Sequence, residues 1–147
     1  MAYSDRFRHQ HELATMTARN LRALVANHRP GGDTLAIAVQ LARLFSALRS
    51  HLAEEERYVY RALTATGDRD AAALARRFHR EMGSLAWDWE EFMRRWSSSA
   101  VIAHDFAAFE YALHRLLAAL DTRIEFENAT LYPVADALFP DRQDRAA

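Results

Sequence analysis

Residues 41–62, LARLFSALRSHLAEEERYVYRA, decide the fold. Leu41, Phe45, Leu48, Leu52, Val59 and Ala62 recur at three- and four-residue steps, the period of one face of an α-helix. One slot in that rhythm, position 55, is a carboxylate, Glu55. The same pattern returns near the end of the chain, where Leu113, Leu117, Leu120, Ile124, Leu131, Val134 and Leu138 leave a slot filled by Glu127. A third stripe, Phe7, Ala14, Leu21 and Val25, carries a histidine, His11, at its inward position 11, and a fourth runs through Leu85, Trp89, Phe92 and Trp96. Four amphipathic stripes predict four helices, three of them with a polar group on the apolar face.

Turn chemistry separates the stripes at Pro30-Gly31-Gly32-Asp33, at Thr66-Gly67-Asp68 and at Ser97-Ser98-Ser99. The expected helices are about 4–29, 33–65, 68–97 and 100–139. Ser4 or Asp5, Asp33, Asp68 or Asp70, and one of the serines each stand where a side chain caps the helix that follows. Long helices joined by short turns predict an all-α, antiparallel up-down-up-down four-helix bundle, one domain over 1–147. Pro133 inside the last helix predicts a bend or an early end there.

Composition agrees and removes several function classes. Half of the 147 residues are apolar, and Gly 4 with Pro 3 leaves little material for irregular structure. A formal net charge of −1 gives no basic face for nucleic acid or anionic lipid, so neither is an expected partner. With Cys 0, disulfides, thiolate metal sites and cysteine nucleophiles are excluded, and any metal must be held by nitrogen and oxygen. The polar start Met1-Ala2-Tyr3-Ser4-Asp5-Arg6 has neither the apolar core of a signal peptide nor a membrane span, which makes cytoplasmic location the expectation. No serine has a histidine and an acid in evident reach, so no catalytic triad is expected.

If consecutive helices fold back on each other, residues equidistant from a turn share a height. His11 and His51 are each 20 residues from Gly31, Glu55 and His79 each 12 from Gly67, and His79 and Glu127 each 24 from Ala103. His11, His51, Glu55, His79 and Glu127 are thus expected in one layer of the core. Buried carboxylates without compensation cost several kcal/mol each, so such a layer requires a cation. His51 and Glu55, one helical turn apart, can reach a common metal ion.

The residues Arg8-His9-Gln10-His11-Glu12-Leu13, His51 to Tyr60, His79-Arg80-Glu81 and Ile124 to Pro133 resemble the hemerythrin-like HHE domain family. The pattern is a helix-one histidine, HxxxE, a helix-three histidine and HxxxE again, and the likeness spans essentially the whole chain. The resemblance implies a four-helix bundle holding two non-haem irons, bridged by Glu55 and Glu127. His11 and His51 would serve one iron and His79 the other. It further implies chemistry with dioxygen, nitric oxide or peroxide, or iron handling, with binding or sensing expected ahead of enzymatic turnover.

One position departs from the pattern. Four residues before Glu127, where histidine is expected, stands Arg123, and a protonated guanidinium cannot ligate a metal. Two readings follow: a site with one or two ions, or a metal-free interaction module in which Arg123 forks onto Glu55 or Glu127 and neutralises them.

Overall fold

The computed structural model describes residues 1–140, and the described residues form helices and turns without strands. The last seven residues of the expected 1–147 domain lie outside them. Helix α1 spans Asp5–Ala26 and α2 spans Leu35–Glu55. A π-helical turn, Glu56–Tyr60, carries α2 into α3, Arg61–Thr64. Helix α4 spans Arg69–Trp96, α5 Ser99–His104 and α6 Phe106–Phe126; a second π-helical turn, Glu127–Leu131, leads into α7, Tyr132–Leu138. No described helix is long and apolar enough to cross a membrane.

Gly31 and Gly67 sit at the first two turns with φ of 79° and 81°, a backbone region that side chains disfavour. Asp68 caps α4 by accepting from the Ala71 amide at 2.9 Å. The expected helix over 100–139 starts instead as the separate α5. Helix α6 then begins after Asp105, whose carboxylate accepts from the Ala108 amide at 3.4 Å. Ser4 precedes α1 without capping it, because its hydroxyl donates to Asp136 at 2.8 Å and ties the start of α1 to α7.

Each π-helical turn shifts the buried face by one residue. Beyond Glu55 the buried side chains are Val59, Tyr60 and Leu63, with Ala62 only half-buried; beyond Glu127 they are Leu131, Tyr132 and Ala135, with Val134 half-buried. A π turn adds one residue to the helical repeat, so the plain α-helical rhythm expected at Ala62 and Val134 slips by one. The chain passes Pro133 without ending, since the proline occupies the first turn of α7, where its missing amide costs least.

The core is two apolar clusters with a polar layer between them. One cluster contains Ala14, Leu48, Met82 and Ile124; the other contains Phe7, Val59, Phe78 and Leu131. On α1, α2 and the end of α6 the chain passes from one cluster to the other through His11, through His51 and Glu55, and through Glu127. On α4 it passes directly from Phe78 to Met82.

Candidate metal centre

His11, His51, Glu55 and Glu127 are all buried, at 3%, 5%, 0% and 1% exposure. Their helices aim them at one point because each occupies the apolar stripe of its own element. The two imidazoles meet tip to tip, His11 Nε2 to His51 Nε2 at 3.2 Å, and His11 Nε2 lies 3.0 Å from Glu127 Oε2.

The outer nitrogens are held by carboxamides. Gln10 donates its amide nitrogen to Glu54 at 3.0 Å, which leaves its carbonyl oxygen facing His51 Nδ1 at 2.7 Å. A carbonyl only accepts, so His51 carries its hydrogen on Nδ1 and presents the Nε2 lone pair to the layer. Burial and the neighbouring His11 also push the His51 pKa down to about 4, so this ring is neutral at physiological pH. Asn128 stands at 2.8 Å from His11 Nδ1 in the same manner.

Two tyrosines close the layer from the other side. Tyr132 donates its hydroxyl to Glu55 Oε1 at 2.9 Å and stands 3.2 Å from His11 Nε2; Tyr60 donates to Glu55 Oε2 at 3.2 Å. Each tyrosine follows a buried glutamate by five residues, Glu55 to Tyr60 and Glu127 to Tyr132, and a π-helical turn brings such a pair onto one face. Read from sequence, these tyrosines look like packing. The repeated five-residue spacing after two inward glutamates is the signal that marks them.

The carboxylates are not equivalent. Burial, then the charge of Glu127, push the Glu55 carboxyl well above its ordinary value. Burial also pushes Glu127 upward, but the contact with His11 and the Arg123 guanidinium outweigh it and hold Glu127 below its ordinary value. Charge is therefore disfavoured on Glu55 and favoured on Glu127.

Arg123 is itself buried, 7% exposed. Its Nε donates to Glu127 Oε1 at 2.5 Å, and Nη2 donates to the Tyr60 hydroxyl and to the Phe78 carbonyl, both at 2.7 Å. Its guanidinium carbon stands 4.7 Å over the Phe78 ring.

His79 does not join the layer. Its side chain is 57% exposed and its Nε2 contacts Glu56 at 2.7 Å, while its ring lies beside Tyr60 at 5.3 Å. The height expected from the turn is close, but the rotation of α4 differs. Phe78 takes the inward slot at 1% exposure, and burying an aromatic ring gains roughly 1.5–3 kcal/mol. The neighbouring residue is turned about 100° away.

His11, His51 and Glu127 bring one ligand atom each to within 4.8 Å of one another, an arrangement able to hold a metal ion. Two nitrogens and one oxygen bound to a common ion at about 2.1 Å stand roughly 3.0–3.4 Å apart, which the His11–His51 and His11–Glu127 distances match. The residues fit one ion. They do not fit a second, since a guanidinium stands where its histidine would be and His79 faces outward. A cavity of about 360 Å³ reaches His11 between α1 and the end of α6, with Arg8, Arg19 and Asn128 in its lining.

Neither a curated protein nor a solved structure matches the chain at a significant level. The family model for the hemerythrin HHE cation-binding domain matches residues 3–135. With that match covering most of its length and a buried histidine and glutamate cluster at its centre, the chain belongs to the hemerythrin HHE cation-binding domain family.

Proposed function

We propose that the protein holds a single non-haem iron through His11, His51 and Glu127, with Glu55 beside them, and uses it to bind or sense dioxygen, nitric oxide or peroxide, or to handle iron. The observation that carries this reading is the pair of buried imidazole Nε2 atoms meeting at 3.2 Å beside a buried carboxylate. With Gln10 holding the hydrogen of His51 on Nδ1, a lone pair points at the other ring, and a cation there turns that crowding into attraction. Iron suits mixed imidazole and carboxylate ligation, and when bound it supplies electron transfer and a coordination position for a small ligand. The protein's own groups would hold the rings in one tautomer, keep Glu127 ionised and donate hydrogen bonds from Tyr60 and Tyr132. The cavity beside His11 is the route by which a small ligand would arrive.

The same reading takes the long helices as an antiparallel up-down-up-down bundle. It is supported by contacts in which one residue number falls as the other rises. Ser4–Asp136, His11–Asn128 and Arg22–Asp121 link the first and last helices, and Tyr60–His79 and Arg49–Glu90 link the second and third.

The test is metal content per chain by elemental analysis, on protein produced with added iron and purified without chelator. One equivalent is expected in the wild type, and less than a tenth of that in His51→Ala and Glu127→Ala. Two equivalents would overturn the single-ion reading. No metal under these conditions would favour the second reading, a metal-free interaction module, whose supporting observation is the Arg123 contact with Glu127 that already balances the buried charge.

A further inference from the structure

We propose that the cleft between α2, α4 and α6 binds a small neutral molecule, mostly apolar with one hydrogen-bond acceptor, such as a short ketone, and that the indole N–H of Trp89 is its donor. The cavity measures about 90 Å³, and Leu48, Leu52, Met82, Ala86 and Leu120 supply its apolar wall. A cavity of about 150 Å³ lined in this way stays dry and takes benzene or xenon, so this one suits roughly four or five non-hydrogen atoms.

Trp89 lines the same cavity and is only 4% exposed. Its Nε1 is the one buried side-chain polar atom among the described residues without a hydrogen-bond partner. Buried donors are nearly always paired, and an orphan donor on a residue that lines a cavity points to a partner that comes from outside the chain. Water is a poor partner here, because a buried water needs two to four polar contacts and the other polar lining residues, Arg49 and Glu90, are already paired with each other at the rim. An acceptor-bearing apolar molecule satisfies both the surface and the donor.

The rim explains why the ligand is neutral. Arg49 and Glu90 stand at the edge of the cavity, 66% and 53% exposed, and are already joined at 3.2 Å. The Arg49 guanidinium lies 4.6 Å over the Phe45 ring, and Phe45 stacks on Trp89 at 6.2 Å. A charged ligand would compete with an ion pair already made. No residue of the histidine and glutamate layer lines this cavity, so the site stands or falls independently of the metal reading.

The test is titration of the full chain with butan-2-one and, separately, with xenon, followed by the Met82 methyl signal and the indole ¹⁵N–H signals in NMR. In the wild type the Met82 methyl moves saturably with either probe. One of the three indole signals, the one missing in Trp89→Phe, moves with butan-2-one. Trp89→Phe keeps most of the aromatic packing and removes the donor, so butan-2-one affinity falls roughly three- to tenfold while xenon affinity is retained. Ala86→Leu fills the space and abolishes both. A linear, non-saturating response in the wild type overturns the site. Equal butan-2-one affinity in Trp89→Phe, or undiminished binding in Ala86→Leu, overturns it as well.

Discussion

Arg123 is a buried cation whose three nitrogens are spent on a carboxylate, a phenol, a backbone carbonyl and, more distantly, on Glu81 at 3.7 Å. Burial alone opposes its charge, but Glu127 and the other acids around it more than restore it, holding its pKa above the ordinary value. Removing one partner of such a pair leaves the other charge uncompensated in the core. Arg123→Met is therefore expected to cost about 3–5 kcal/mol in urea unfolding of metal-free protein. Added iron should recover part of that loss, since an ion beside Glu127 replaces the missing cation. A loss below about 1 kcal/mol, or one that iron leaves unchanged, would mean that Glu127 does not depend on Arg123 for its charge balance. Arg123→Lys would not restore the native state fully, because an ammonium cannot reach the carboxylate, Tyr60 and Phe78 with a fixed planar fork.

At the scale of the element, the two π-helical turns behave as single-residue insertions in otherwise regular amphipathic helices. With one residue removed from 128–130, the buried positions Glu127, Leu131, Tyr132 and Ala135 fall at the steps of an uninterrupted α-helical stripe. The same holds for Glu55, Val59, Tyr60 and Leu63 after removal of one residue from 56–58. Ala129 is exposed, so its deletion should leave the fold intact, with a midpoint of thermal unfolding a few degrees from the wild type by circular dichroism. Deleting Ala118, equally exposed but inside regular α6, turns everything after it by about 100° and should abolish cooperative unfolding. Equal tolerance of the two deletions would show that the π turn is not an insertion in phase.

Across the whole molecule, the polar layer makes stability depend on pH. His51 titrates at about 4 when folded and near 6.5 when unfolded, because burial and His11 oppose its charge. Between those values the unfolded chain binds a proton that the folded one refuses, so stability falls as pH drops from 6.5 and the contribution levels off below about 4. The loss from this one group amounts to about 3 kcal/mol over that window. Urea unfolding of chelator-treated protein from about pH 7 to about pH 4 should therefore show a steeper loss of stability in the wild type than in His51→Leu, where this proton is absent. Parallel curves would mean that His51 is reached by solvent in the folded state. Because the layer sits between the two apolar clusters, its titration bears on both halves of the core at once.

The sequence by itself determined a great deal: helical periodicity the all-α class and the inward placement of His11, Glu55 and Glu127, turn chemistry the three turns, and equal distance from the first turn the height of His51. Residues at three- and four-residue steps share a face whatever the helix packs against, so a polar residue in an apolar stripe is legible without a structure. Only tertiary packing decided the rest. Phe78 and His79 are adjacent and either could have faced inward; the choice depended on how α4 rotates against its neighbours, and the larger apolar ring won. The π-helical turns are invisible to a fixed 3.6-residue period, which is why Tyr60 and Tyr132 reach Glu55 while Ala62 and Val134 give up the buried slots. Arg123 could be recognised as a non-ligand from its chemistry. That it reaches Glu127, Tyr60 and the Phe78 carbonyl together follows from the approach of three helices, which no single stripe contains.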